Sequence, residues 1–589
     1  MDKNMRIAAS ALAVELTPDK AQYRPGEPAV IRVEAKFDAE RLPFRWSVCE
    51  LHRILLEGEG ELRKERDGVL AAELRIPAFD KASGAYGVFV SVGDEGNGGV
   101  QVSAETAYDV AAHWREAPRY GFLSDFPPDD RDDGDVAFLN RHHLNVVQFY
   151  DWMYRHDRLL TDEEPFTDPL GRTVSLDVVR RKIAALKARG IASLAYAAVY
   201  ASLPDYARAH PEQVLYQNDG VPYRLGNFFY IMDISPGSAW TEHITDQFAA
   251  AVAWGFDGLH LDQYGFPKQA IRKTDGGAEV VRLKELYPAI INRSREKTPD
   301  AGLIFNNVGS YPLHTTAAAA QDALYIEVWD PVTRLYDLYA LVRRARALTA
   351  KPVILAAYLP AFHPERPVDP EAAEAGATVA MAAIFASGAY HLLLGERGGV
   401  LADPYYPKYG TASPAFQRRL TAYYDFIVLY RDLLFDPTID DWTESFTGGI
   451  NNELVFRKEG VAFSTDARLG TIWTLAREKP GFQVIHLLNL IGLDNDVWHA
   501  PKAQPPQPLE EIVIELEVVE DIEGVYAATP DGGSIRPQPL AYEWIPTEWS
   551  GRKIRFILPK LDYWSVVYVK SRAGVPAGTF DPAVYPGKR

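Results

Sequence analysis

Two carboxylates in unlike surroundings stand out. Asp262 closes the run Gly258-Leu259-His260-Leu261-Asp262, and Gly265 breaks the chain just beyond it. Side chains along a strand alternate, so His260 and Asp262 share one face while Leu259 and Leu261 take the other. Glu327 lies in Ile326-Glu327-Val328-Trp329, an otherwise apolar run. A carboxyl beside Trp and Val is poorly solvated, which raises its pKa and keeps a proton available near neutral pH. Asp262 has His260, Gln263 and Tyr264 beside it in sequence to hydrogen-bond its ionised form. One charged and one protonated carboxyl are what cleavage of a glycosidic bond requires. The first attacks or stabilises the anomeric carbon, and the second protonates the leaving oxygen. The blander readings are an Asp262 that caps the next segment and a Glu327 paired with a buried Arg or Lys.

Such a pair needs elements to deliver it. Ahead of the Asp262 strand, residues 240–254 read as an amphipathic helix with Ile244, Phe248 and Val252 on one stripe. Ser238 is its N-cap and Gly255 its stop. A helix feeding a short strand is one unit of a layered α/β fold. Eight strands can be counted, over 145–150, 191–196, 229–234, 258–262, 303–307, 323–327, 352–357 and 389–394. Between them run helical stripes such as Val179, Ile183 and Leu186, or Leu335, Leu338 and Val342. Asp369-Pro370-Glu371 is a cap, an N1 proline and a first-turn acid. Eight such units predict a (β/α)8 barrel, whose active site lies at the C-terminal strand ends. A doubly wound open sheet is the alternative, but no strand is followed by Gly-x-Gly-x-x-Gly. The strand ends deliver Tyr150, Asp151 and Trp152, followed by His156, then Tyr196, Asp233, His260 and Asp262. The later ones deliver Asn306 and Asn307, then Tyr325, Glu327 and Trp329, then Tyr358, then Glu396. An end built only for stability would not need polar and aromatic residues on every strand.

The flanks are β-rich. Residues 29–35, 69–75 and 86–92 are strand-like, with turn signals at Pro25-Gly26, Asp67-Gly68 and Asn97-Gly98. They predict an N-terminal immunoglobulin-like β-sandwich over 1–113, a barrel over 114–442 and a C-terminal β-sandwich over 443–589. Lys plus Arg number 62 and Asp plus Glu 80, a net charge of −18. That argues against nucleic acid or an anionic membrane as partner, and no run of about 18 apolar residues is present to span a membrane. The 31 Tyr and 12 Trp suit sugar rings, which dock on aromatic faces, although most of them must be core. Cys49 is the single cysteine, so neither a disulfide nor a thiolate cluster forms within the chain. His142 and His143 are adjacent and cannot face one ion from a strand, and neither a zinc nor a calcium motif occurs. No metal or cofactor is therefore expected, and Ser-His-Asp hydrolysis lacks its Gly-x-Ser-x-Gly elbow. The N-terminal stretch is too short and mild for a signal peptide, and Glu15 interrupts it.

Four separated runs, NVVQFYDWMYRHD (145–157), GFDGLHLDQYG (255–265), YIEVWD (325–330) and LGERGGVLADPYYPKYG (394–410), resemble glycoside hydrolase family 66. That family contains endo-dextranases and cycloisomaltooligosaccharide glucanotransferases. The resemblance covers about 115 to 440 and implies retaining hydrolysis of α-1,6-glucosidic linkages in dextran. Asp262 would be the nucleophile and Glu327 the acid/base. It implies that Tyr150, Asp151, Trp152, His156, Tyr196, Asp233, His260, Gln263, Asn307, Trp329, Tyr358, Glu396 and Tyr405 bind substrate. Family members that make cyclic products carry a carbohydrate-binding module inserted in the barrel, and residues 358–388 leave no room for one. Plain hydrolysis by a monomer is the main expectation, with cyclising or mixed transfer as the alternative. A related α-glycosidase and a non-enzymatic sugar-binding protein are the rivals. Dextran is too large to enter cells, so an endo-acting enzyme belongs outside them; a cytoplasmic enzyme for short isomaltooligosaccharides stays open.

Overall fold

The computed structural model describes residues 13–93, 101–518, 520–547 and 552–572. The Asn97-Gly98 turn signal and residues 1–12 of the stretch read for a leader lie outside them. Two compact units form. The first holds the residues up to Glu50, Ile54–Pro437 and Val497–Pro501; the second holds Leu51–Arg53, Thr438–Asp496 and the residues from Lys502 on.

Near the start of the first unit, seven strands between Ala13 and Val110 make one sheet. Along Ala29–Lys36 every second residue is buried, so Ile31 and Val33 meet Val48, Leu70 and Val88 in one core.

The centre of that unit is an eight-stranded parallel sheet. Its strands are β1 (Tyr120–Leu123), β2 (Val146–Phe149), β3 (Ala192–Ala198), β4 (Gly258–Asp262), β5 (Gly302–Val308), β6 (Ala323–Glu327), β7 (Val353–Ala356) and β8 (Tyr390–His391), in sequence order. Phe122 of β1 bridges in parallel to Gly395 just past β8, and its N–H donates to the Leu394 carbonyl at 3.2 Å, which closes the barrel. Each strand is followed by a helix: α1 (Gly134–Arg141), α2 (Leu176–Ala188), α3 (Ala239–Trp254), α4 (Leu283–Lys297), α5 (Leu313–Thr316), α6 (Leu335–Leu348), α7 (Pro370–Ser387) and α8 (Pro414–Leu429).

Local chemistry sets the helix ends. Ser238 caps α3 by accepting the Thr241 N–H at 3.1 Å, and Gly255 takes the positive φ of 147° that ends it. Asp369 caps α7 ahead of Pro370, and Gly388 ends it in the left-handed region.

The expected strand count holds, and seven of its members stand, but the third does not. Residues 229–234 are not in the barrel: Phe229–Ile231 pairs antiparallel with Ala201–Ser202 and Arg224–Leu225 in a small sheet between β3 and α3. The true first strand, β1, is four residues long and buried throughout, so it shows no alternation to read. Between β7 and β8 the chain holds one 3-10 turn (Pro360–Phe362) and α7.

In the second unit, two sheets enclose one core. Ile485, Leu487 and Val567 come from one, and Ile514, Ile554 and Phe556 from the other.

Candidate active site

Strand parity decides what meets at the barrel mouth. Leu194 and Ile304 lie in the barrel core with Tyr325 and Ile354. Two residues further along each strand come Tyr196 on β3, Asn306 on β5 and Glu327 on β6; Tyr358 stands just past the end of β7. Asp262 joins them two residues after His260 on β4.

The Asn306 amide nitrogen donates to both acids, to Asp262 Oδ1 at 2.8 Å and to Glu327 Oε2 at 3.1 Å. Laid end to end, those bonds cap the separation of the two oxygens at about 6 Å. The cap admits the about 5–5.5 Å of a retaining pair and lies below the about 6.5–9.5 Å of an inverting one. Tyr196 donates to Asp262 Oδ2 at 2.7 Å, and the Tyr358 hydroxyl donates to Glu327 Oε1. Glu327 is buried and Asp262 half-buried.

Burial, then the neighbouring Glu327 charge, pushes Asp262 up to about 7 against the pull of Tyr196 and Asn306. Burial likewise raises Glu327, offset in part by Tyr358, Asn306 and Trp329. Two acids this close titrate as a pair, and burial makes both harder to ionise. Among the described residues no cluster of His, Cys, Asp and Glu is arranged to hold a metal ion.

Comparison with known proteins adds the family. The family model for glycosyl hydrolase family 66 matches residues 18–568. The chain belongs to glycosyl hydrolase family 66. It is a glycoside hydrolase-type enzyme. Two cycloisomaltooligosaccharide glucanotransferases of Niallia circulans are 24% and 23% identical to it, over 95% of this chain and 72% of each relative. The crystal structure of a Paenibacillus sp. cycloisomaltooligosaccharide glucanotransferase, complexed with cycloisomaltoheptaose, superposes with a TM-score of 0.83 at 21% identity. It covers 94% of this chain and 100% of that one, so the fold is shared.

Around the acid pair of this family 66 chain, the other expected site residues separate into groups. Tyr150 stacks on Tyr406 with ring centroids 4.3 Å apart, and its ring lies 5.1 Å from that of Tyr196. Trp329 is 40% exposed with its ring 5.6 Å from Tyr358, an open aromatic face beside Glu327. Tyr405 is half-buried beside the Arg172 guanidinium. Asp151 is buried in a left-handed turn (φ 47°), and burial lifts its carboxyl to about 7 although Arg172 opposes this. His156 is buried against Phe229 and pushed down to about 3, so it is neutral. His260 is neutral for the same reason and pairs its Nδ1 with the Tyr120 hydroxyl at 2.8 Å, one side-chain layer below Asp262.

Five expectations need correcting. Asn307 points away from the mouth: its amide donates to the Tyr325 carbonyl at 2.9 Å and accepts from Thr316 at 2.6 Å. Parity places Asn306, not its neighbour, among the acids. Trp152 is fully buried, with its ring on Phe256 at 4.5 Å and its N–H on the Tyr196 carbonyl, so it offers no face to a sugar. Gln263 is spent on backbone, donating to the Asn306 and Tyr311 carbonyls and accepting from the Gly265 N–H. Asp233 accepts from Ser235 in a tight turn, and Glu396 accepts from the Ser124 N–H and hydroxyl.

Sequence reading also missed partners. Asp262 is held by Tyr196 and Asn306 rather than by His260 or a Gln263 or Tyr264 side chain. Tyr406, whose hydroxyl meets that of Tyr325 at 2.9 Å, comes from the loop after β8, where no periodicity marks it. The Tyr264 side chain lies beside Tyr196, close enough to Asp262 and Asp151 to feel both charges.

Proposed function

We propose that this chain cleaves α-1,6-glucosidic linkages with retention, through a glycosyl ester on Asp262. Glu327 gives its proton to the leaving oxygen as an Asp262 oxygen bonds to the anomeric carbon and the glycosidic C–O bond breaks. The ionised Glu327 then takes a proton from an incoming hydroxyl, whose oxygen replaces Asp262 at that carbon and restores both carboxyls. The observation that supports this reading is the shared Asn306 amide, which keeps one oxygen of each acid within about 6 Å of the other. The substrate class rests on the two glucanotransferase relatives and on the acidic, tyrosine-rich composition.

The incoming hydroxyl belongs to a sugar as well as to water. Transfer is supported by the activity in the relatives' names. A second reading, endo-hydrolysis of dextran alone, is supported by the short connection between β7 and β8. Acting on long dextran, the enzyme works outside the cell.

A product time course from dextran and from one defined isomaltooligosaccharide tests both readings. Products longer than the starting oligosaccharide, or cyclic ones, are expected beside shorter ones. Only shorter products would leave hydrolysis alone. Cleavage of α-galactosides with dextran untouched would overturn the substrate class.

A further inference from the structure

The site carries one negative charge that must change places during the reaction proposed above. The retaining reading requires it on Asp262 when the substrate arrives and on Glu327 in the glycosyl ester. Around the pair, the titratable groups are the tyrosines Tyr150, Tyr196, Tyr264, Tyr325, Tyr358 and Tyr406, with neutral His260 below them and Asp151, paired to Arg172, beside Tyr150 and Tyr264. Burial raises every one of the tyrosine hydroxyls, so they stay neutral over the working pH range. Tyr196 serves Asp262 and Tyr358 serves Glu327. Asn306 reaches both.

An amide nitrogen has two hydrogens and never titrates, so each acid can receive one at every stage. The reverse orientation would aim a carbonyl lone pair at whichever acid is ionised, which favours the nitrogen toward the pair. The carbonyl Oδ1 is left buried without a partner among the described residues, a cost accepted to keep the nitrogen in place.

We infer that Asn306 is a positioning residue whose single nitrogen follows the negative charge as it passes between Asp262 and Glu327. This rests on the retaining reading above. Its donation favours the ionised form of each acid, so losing it makes both harder to ionise.

The test compares kcat/KM against pH for wild type, Asn306→Ala, the similarly sized Asn306→Leu and Asp262→Asn, with thermal melting to confirm folding. In both Asn306 variants the two limbs of the profile should move to higher pH, by about one unit. In both, kcat should fall about 100-fold, and KM should change less than about threefold. Equal loss at every pH, with the limbs where wild type has them, overturns the inference and leaves Asn306 a packing residue. If Asn306→Ala does not fold, Asn306→Leu decides alone, because it keeps about the same volume and loses the donor without adding a charge. Asp262→Asn separates the two levels: retained activity there refutes the retaining reading itself. An inactive Asp262→Asn with unmoved limbs in the Asn306 variants refutes only the inference.

Discussion

The first unit buries acids in two contrasting ways. At the strand preceding the barrel, Asp109 is fully buried between two guanidiniums, with Arg119 at 2.8 Å and Arg431 at 2.7 Å. Burial alone would raise its pKa, but the two arginines hold it below the usual carboxylate range. At the mouth, Asp262 and Glu327 are held by an amide and neutral hydroxyls, and both are raised. Burial therefore goes with opposite results, and the partner decides. A paired charge is silent over the working pH range, whereas an acid held by neutral donors keeps a proton it can give up.

Breaking each region should do different damage. The largest effect belongs to the mouth: Asp262→Asn and Glu327→Gln should each lower kcat on dextran by about 1000-fold or more without loss of fold. Azide or an activated leaving group should restore turnover to the Glu327 variant and not to the Asp262 one; equal loss on every substrate would unseat Glu327 as the acid. Asp109→Ala should instead destabilise the protein by about 3–5 kcal/mol, because Arg119 and Arg431 stay buried with their charges uncompensated. Its kcat, counted per folded molecule, should stay within about twofold of wild type, since Asp109 is far from any strand end that delivers chemistry.

The pH responses should also run oppositely. Because Asp262 is raised to about 7, kcat/KM should fall as pH drops through that region. For stability the sign is reversed. A carboxyl with a raised folded pKa favours the folded state at low pH, and that advantage is lost as pH rises from the unfolded value near 4 to about 7. Asp109, with its pKa lowered, contributes stability above the unfolded value and loses it as pH falls below about 4. Asp262→Asn should therefore melt about 2 °C higher than wild type at neutral pH, the smallest effect of the set, measurable by calorimetry. No change, or a lower melting temperature, would mean that the acid pair is not held under electrostatic stress.

Much of this contrast is legible in the sequence. Asp262 and Glu327 can be found because each ends a short apolar strand, where a carboxylate has no business in a core. Every barrel strand but β1 is readable as a short apolar run, and the caps at Ser238 and Asp369 mark two of the helices. Short strands defeat the method: β1 is uniformly apolar, while residues 229–234 look like a strand and are one, but in another sheet. Partners across the barrel are harder still. Asn306 could have been preferred to Asn307 by parity, given that Ile304 faces inward. Tyr406 and the Asp109 pairing with Arg431 join residues hundreds of positions apart, and only folding reveals them.

The most direct measurement is mass spectrometry of the enzyme trapped during turnover of a fluorinated, activated glucosyl substrate. One glucosyl unit should be found covalently attached to the peptide that contains Asp262, and Glu327→Gln should accumulate the same adduct when the leaving group is activated. An adduct on a different carboxylate, or none together with products of inverted anomeric configuration, would contradict the assignment of the two acids.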